Sequence, residues 1–319
     1  EERGKAMGFS GAVVGVGLSV GPLMGGVLLD ALDWRSLFYV RAPLGLLGAV
    51  LAWWLLPADK PTGGRFRMDY LGAGVLFATM TCFLLVVNRG AELGYGSTLT
   101  LGLLAATVVM VPLVVWTQRR SIRPILEFSL FRSRGYAVGL MVVVGHYLAH
   151  GPVLLVAPFF FIDALGFSAS KMGLFVAGFF MGRTFLAPLA GWLSDMFGPR
   201  WFLVFGNGML VTALLWLNRL GTGADEWAIF SAMILGGVGS AFFEPVVTSV
   251  VMGSVHSNRL GTASASVAMA RHIAFSVGVA IVGAIFTIRE RVYLGESVRP
   301  EEAVARAFGD SVIAGAAFA

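Results

Sequence analysis

Five ionisable residues stand deep inside long apolar stretches, where an uncompensated charge is costly: Glu244, Arg183, Arg271, His146 and His150. His272, next to Arg271, falls in the same class by position. The chemistry such a set offers is reversible proton binding. Glu244 can stand ionised against a guanidinium, or protonated and neutral without one. Pro245, the next residue, removes a backbone hydrogen bond and loosens the chain locally. We therefore expect Glu244 to be the main proton-responsive acid, balanced by Arg271 or Arg183. A static structural ion pair is the competing reading of the same residues. His146 and His150 are four apart and share a helix face. A His-x3-His pair can hold a metal, but it needs further ligands and none stands near in the sequence, so no metal is expected. Hydrogen-bonded cavity or core histidines are the leading reading, and contact with protons or substrate the second.

The elements that must position these residues are apolar and long. Nine stretches suffice to cross a bilayer, at roughly 8–29, 36–56, 70–88, 98–116, 136–162, 172–193, 201–217, 227–252 and 261–288, and a tenth begins near 303. In lipid each must be a helix, because every backbone polar group needs an internal partner. Composition agrees: 57% of residues are hydrophobic and 13% charged, against about 25% charged in soluble domains. The fold class is all-α, a polytopic membrane helix bundle. Two loops are densely basic, 57–69 with Lys60, Arg65 and Arg67, and 117–135 with Arg119, Arg120, Arg123, Arg132 and Arg134. Basic loops favour the cytoplasm, which sets the orientation and places the first residues inside. Measured from the inner ends at about 1.5 Å per residue, Glu244 lies about 12 Å deep, and Arg183, Arg271 and His146 about 15 Å. His150 is one turn further out. Four helices thus bring charge to one layer.

The arginines sit in short loops between apolar segments, so the net charge of +5 does not point to nucleic acid. The single Cys82 excludes an internal disulfide. No phosphate-binding loop, nucleophile elbow or Cys/His metal set is found, so neither an enzyme nor a cofactor is expected. Phe159, Phe160, Phe161, Phe179 and Phe180 suit packing first and a cavity lining second.

Two motifs narrow the function. The first stretch reads Gly8-x8-Gly17-x3-Gly21-Pro22-x2-Gly25-Gly26. On a helical wheel Gly17, Gly21 and Gly25 form one stripe, and Gly8, Gly15 and Gly26 lie opposite, so close neighbours are expected on both faces and a bend at Pro22. This pattern resembles the antiporter motif of the fifth membrane helix in fourteen-helix drug:proton antiporters of the major facilitator superfamily. The second motif, Gly191-x3-Asp195-x2-Gly198-Pro199-Arg200, resembles the loop after the second helix of a six-helix bundle in that superfamily. It implies a tight cytoplasmic turn, with Asp195 meeting a basic group or helix end when the inside closes. Trp34, Arg35, Phe38, Pro43 and Gly45 resemble the family's sixth helix, with Arg41 where an uncharged residue is commoner. Arg271, Gly278 and Ala280 resemble its thirteenth, with Ala274 in place of the usual glycine. Spans three and four resemble the two extra helices of fourteen-helix members. Leu126, Phe128, Leu130 and Phe131 resemble the amphipathic lead into the ninth.

The resemblance implies a partial facilitator fold of nine complete spans and the start of a tenth. Residues 1–56 would close the N-terminal bundle, 57–134 would form a linker region with two spanning helices, and 135–319 would form the C-terminal bundle. The opening EERGKA and the apolar run at Ser311–Ala319 suggest an internal piece of a longer protein. The implied activity is proton-driven export of small lipophilic or cationic compounds from the inner (plasma) membrane. The partners would be the bilayer, protons and a small-molecule substrate, with a monomer expected. The alternatives are a dedicated exporter of one metabolite or antibiotic, and a non-transporting membrane scaffold.

Overall fold

A computed structural model describes residues 2–55, 69–94, 96–121 and 124–319; among these it is helical, with no strand. The helices are α1 (Glu2–Ala31), α2 (Ser36–Leu55), α3 (Tyr70–Leu93), α4 (Thr98–Arg120), α5 (Arg134–Ala164), α6 (Ala169–Phe197), α7 (Pro199–Asn218), α8 (Glu226–Gly253), α9 (Leu260–Gly295) and α10 (Pro300–Ala316). Among the described residues, nine are long and apolar enough to cross a membrane. α10, at 17 residues, is the shorter tenth. The expected positions hold, with two differences of physical origin. α5 contains wide π turns at Pro152–Val156 and Phe160–Ala164, where Pro152 and Pro158 cannot donate to the regular ladder. α9 runs two turns beyond the expected end. There Arg289 pairs with Asp310 of α10 at 2.5 Å and also donates to the Tyr293 hydroxyl, which makes a charged helix end stable outside the apolar run.

The core lies among α5 to α10. Of the apolar windows, 61% of that in α5 and 56% of that in α8 is buried, against 11% in α1 and 6% in α2. Phe160 of α5 stacks on Phe308 of α10 at 4.4 Å, and Phe161, Phe175 and Phe179 continue the cluster. Phe160, Phe161 and Phe179 are fully buried packing residues, whereas Phe159 is exposed. α3 and α4 pair with each other, and α3 reaches α9. α2 touches α1, and α1 lies along α6.

The α1 glycines correct one expectation. Gly26 faces the Ala169 carbonyl of α6, and Gly15 faces the Thr184 side chain, so that face has its close neighbour. A side chain at Gly17 or Gly21 would meet nothing within 4 Å, and one at Gly25 only Leu37, at 3.8 Å. Among the described residues the second face is therefore open. The bundle core lies on one side of α1 alone. α1 passes through Pro22 as a continuous helix, with the Pro22 carbonyl against Gly173 of α6. The packing around Gly8, and the residues Lys60, Arg65, Arg67 and Arg123, lie outside the described side chains.

Candidate functional site

Glycine brings the charged layer together. Gly237 of α8 lies directly against the backbone carbonyl of Phe179 and the Arg183 amide of α6, so no side chain fits there. That crossing sets Arg183 beside the next turns of α8. Its guanidinium Nη2 forms an ion pair with Oε2 of Glu244, which is 7% exposed. Of the two partners the sequence allowed, the structure selects Arg183. On the other side Gly151 of α5 meets Gly278 of α9, with the Gly278 backbone against Leu148. This crossing brings Arg271 over the Tyr147 ring, 5.2 Å from its centroid. Among the described residues Arg271 has no ion pair, and its Nε is buried without a hydrogen-bond partner. His272 points out of the bundle and is exposed, contrary to its interior grouping. One residue along a helix turns the side chain by about 100°.

His146 and His150 are buried. His146 Nδ1 lies 2.6 Å from Asn207 Oδ1 of α7, and Asn207 Nδ2 donates to the Ala319 carbonyl. Since that amide's nitrogen is occupied as a donor, the imidazole Nδ1–H donates to the amide oxygen. His150 Nδ1 donates to the His146 carbonyl at 3.1 Å, and Ser240 Oγ lies 3.4 Å from its Nε2. In the neutral form each ring then carries its lone pair on Nε2. His146 stacks on Phe243 at 3.9 Å, and Tyr147 on His150 at 5.2 Å. Four buried atoms in this layer have no hydrogen-bond partner: Arg271 Nε, His146 Nε2, the Tyr147 hydroxyl and Glu244 Oε1.

With Glu244 from α8, the two histidines have ligand atoms within 4.8 Å of one another. Sequence spacing hid this third donor because it comes from another helix. The charge balance opposes a metal. A divalent cation here would meet Arg183 and Arg271 against a single carboxylate.

Asn207, Ser240, Tyr147 and Phe243 are the members of this site that the sequence reading missed. Asn207 had a usable signal, an amide alone in an apolar stretch. The aromatic and serine members had none, because such residues are common in all these helices.

The Asp195 motif forms a tight turn. Gly198 adopts φ +85° between α6 and α7, and its N–H donates to the Ser194 carbonyl at 2.9 Å. Gly191 has open space beside it. Asp195 and Arg200 are exposed, and among the described residues neither forms an ion pair. Asp195 instead borders a hollow against Gly253 and Ser254 at the C-terminal end of α8. The segment before α5 holds Leu130 buried, while Glu127 pairs with Arg259 at 2.5 Å.

The sequence matches the model of the Major Facilitator Superfamily over residues 1–144 and 139–289. It is 30% identical to the multidrug resistance protein Stp of Mycobacterium tuberculosis over 89% of this chain and 53% of that protein. It is 25% identical to the riboflavin transporter RibZ of Clostridioides difficile, over 89% of this chain and 61% of the other. It is 26% identical to the multidrug export protein EmrB of Escherichia coli, over 88% and 56%. The chain thus spans about half to three fifths of the length of the curated relatives it matches.

Proposed function

Since the chain belongs to the Major Facilitator Superfamily and resembles proteins named for multidrug resistance and export, we propose that the protein it forms part of is a multi-pass membrane transporter that exports small lipophilic or cationic compounds in exchange for protons. The observation that carries this is the ion pair between the partly exposed Arg183 and the buried Glu244 of two spanning helices. Charge within a membrane span is costly and points to a functional site. Glu244 has three alternative partners: the guanidinium, a proton, or a cationic group on the cargo. When Arg183 holds the carboxylate, neither of the others is bound. A proton makes Glu244 neutral and releases Arg183. A cationic cargo replaces the proton. Proton and cargo therefore compete for one carboxylate, which is the condition for exchange rather than co-transport.

In this reading residues 1–56, 57–134 and 135–319 form the end of one bundle, the linker with its two helices, and the second bundle. The N-terminal end of the chain is cytoplasmic, and the protein acts as a monomer. A second reading is a dedicated exporter of one metabolite; the name of RibZ, a riboflavin transporter, agrees with a single small-molecule cargo but gives no direction of transport. The test uses the complete protein in everted vesicles with an imposed proton gradient and a panel of lipophilic cationic dyes. Uncoupler-sensitive uptake of several dyes is expected, and its loss in Glu244→Gln with normal membrane insertion. Uptake by Glu244→Gln equal to that of the unaltered protein would overturn the role of Glu244. Uptake of no dye would favour the dedicated exporter.

A further inference from the structure

α1 and α6 are far apart in sequence, yet they are tied at one end by a single side chain. Asp30 sits in the last turn of α1. Its Oδ1 accepts from the Ala169 N–H at 3.0 Å, and its Oδ2 from the Ser170 N–H at 2.8 Å. These are the first two amides of α6, which lack partners within the helix. A carboxylate there also meets the positive end of the helix dipole. The helix's own cap, Ser168 Oγ, accepts from Lys171 N–H, so Asp30 completes the set rather than duplicating it. Beneath this contact the backbones run close at Gly26 against Ala169 and Pro22 against Gly173, and Gly15 faces the Thr184 side chain. Thr184 adjoins Arg183. α6 runs unbroken by proline from Ala169 to Arg183, since its Pro188 lies beyond. One stiff segment of about 21 Å thus joins the Asp30 contact to the guanidinium that holds Glu244.

We propose that Asp30 is a positioning residue: it latches α1 to the start of α6, holds that end of the transporter closed, and sets the placement of Arg183 against Glu244. The proposal rests on the exchange role of that pair for its second half alone. Opening this end requires the two amides to leave the carboxylate and bind water instead. The latch is exposed, so exchange with water is accessible and the closed state is favoured only modestly. No other side chain of α1 hydrogen-bonds to α6 among the described residues, which makes Asp30 the point at which closure can be released.

The experiment uses the complete protein in lipid nanodiscs, with Cys82→Ser and spin labels on Leu32→Cys and Thr222→Cys. Both sites are exposed, one after α1 and one in the α7–α8 connection. Asp30→Asn keeps the shape but offers an N–H₂ where one amide needs an acceptor. It is expected to shift the closed-to-open ratio about fivefold toward longer label distances. Asp30→Leu should shift it at least as far, and Asp30→Glu should recover part of the closed population. In the same variants, proton-driven dye uptake should fall while dye binding at equilibrium stays within about twofold. An Asp30→Asn distance distribution indistinguishable from that of the unaltered protein would overturn the latch. Such a result beside a transport-dead Glu244→Gln would leave the exchange reading standing. Shifted distances beside a fully active Glu244→Gln would leave the latch standing and remove the exchange reading.

Discussion

At the scale of single residues, the ionisable groups were legible in the sequence and their partners were not. Glu244, Arg183, Arg271, His146 and His150 stand out because charge within apolar stretches is rare. Which guanidinium meets Glu244 depends on where α6 and α8 cross, and that is fixed by Gly237 against the Phe179 carbonyl. No local pattern around Arg183 or Arg271 carries this information. The hidden partners give two contrasting predictions. Asn207→Leu leaves the buried His146 Nδ1–H without its acceptor, and should lower the unfolding free energy by about 1–3 kcal/mol. A clearly reduced melting temperature in detergent checks this, and an unchanged one would mean that the His146–Asn207 hydrogen bond contributes nothing to the fold. The Tyr147 hydroxyl is buried beside Glu244 without a well-formed hydrogen bond, so Tyr147→Phe should change the melting temperature little. If that variant is stable but transports poorly, the hydroxyl acts on cargo or proton rather than on the fold.

At the scale of elements, apolar length predicted the nine spans well, because lipid permits only closed backbone hydrogen bonding. It failed where side chains outside the apolar run stabilise helix, as Arg289, Tyr293 and Asp310 do at the end of α9. Helix faces were half legible. The two glycine stripes of α1 were read correctly as bare, but only the Gly15 and Gly26 stripe meets a neighbour among the described residues. This asymmetry is testable. Gly26→Val must displace the Ala169 backbone, and should separate α1 from α6. Gly17→Val projects into open space and should leave that contact intact. Disulfide trapping between cysteines placed on α1 and α6 in a Cys82→Ser background reads the difference. Equal trapping in both variants would mean that the α1–α6 contact is not made through Gly26.

At the scale of the whole molecule, the described residues divide by burial: α5 to α10 share a core, whereas α1 and α2 are almost bare. A polypeptide so arranged in a bilayer needs an orientation, and loop charge is the one sequence signal for it. Arg119, Arg120, Arg132 and Arg134 cluster between α4 and α5, and Arg259 reaches Glu127 of the same connection. Two separate connections thus meet at one end, with a basic surplus. If that end is cytoplasmic, Asp195 and the Gly198 turn lie inside, and the Asp30 contact with α6 lies outside. The assignment can be checked with single cysteines in a Cys82→Ser background, at Thr222 in the α7–α8 connection and at Ser257 beside Arg259. Both positions are exposed. In intact cells a membrane-impermeant thiol reagent should label Thr222→Cys and spare Ser257→Cys, and in everted vesicles the pattern should reverse. The opposite result would invert every inside and outside assignment. It would move the Asp30 latch to the cytoplasmic end, where it would close the site against its own cargo and so hold an exporter in its outward-open state.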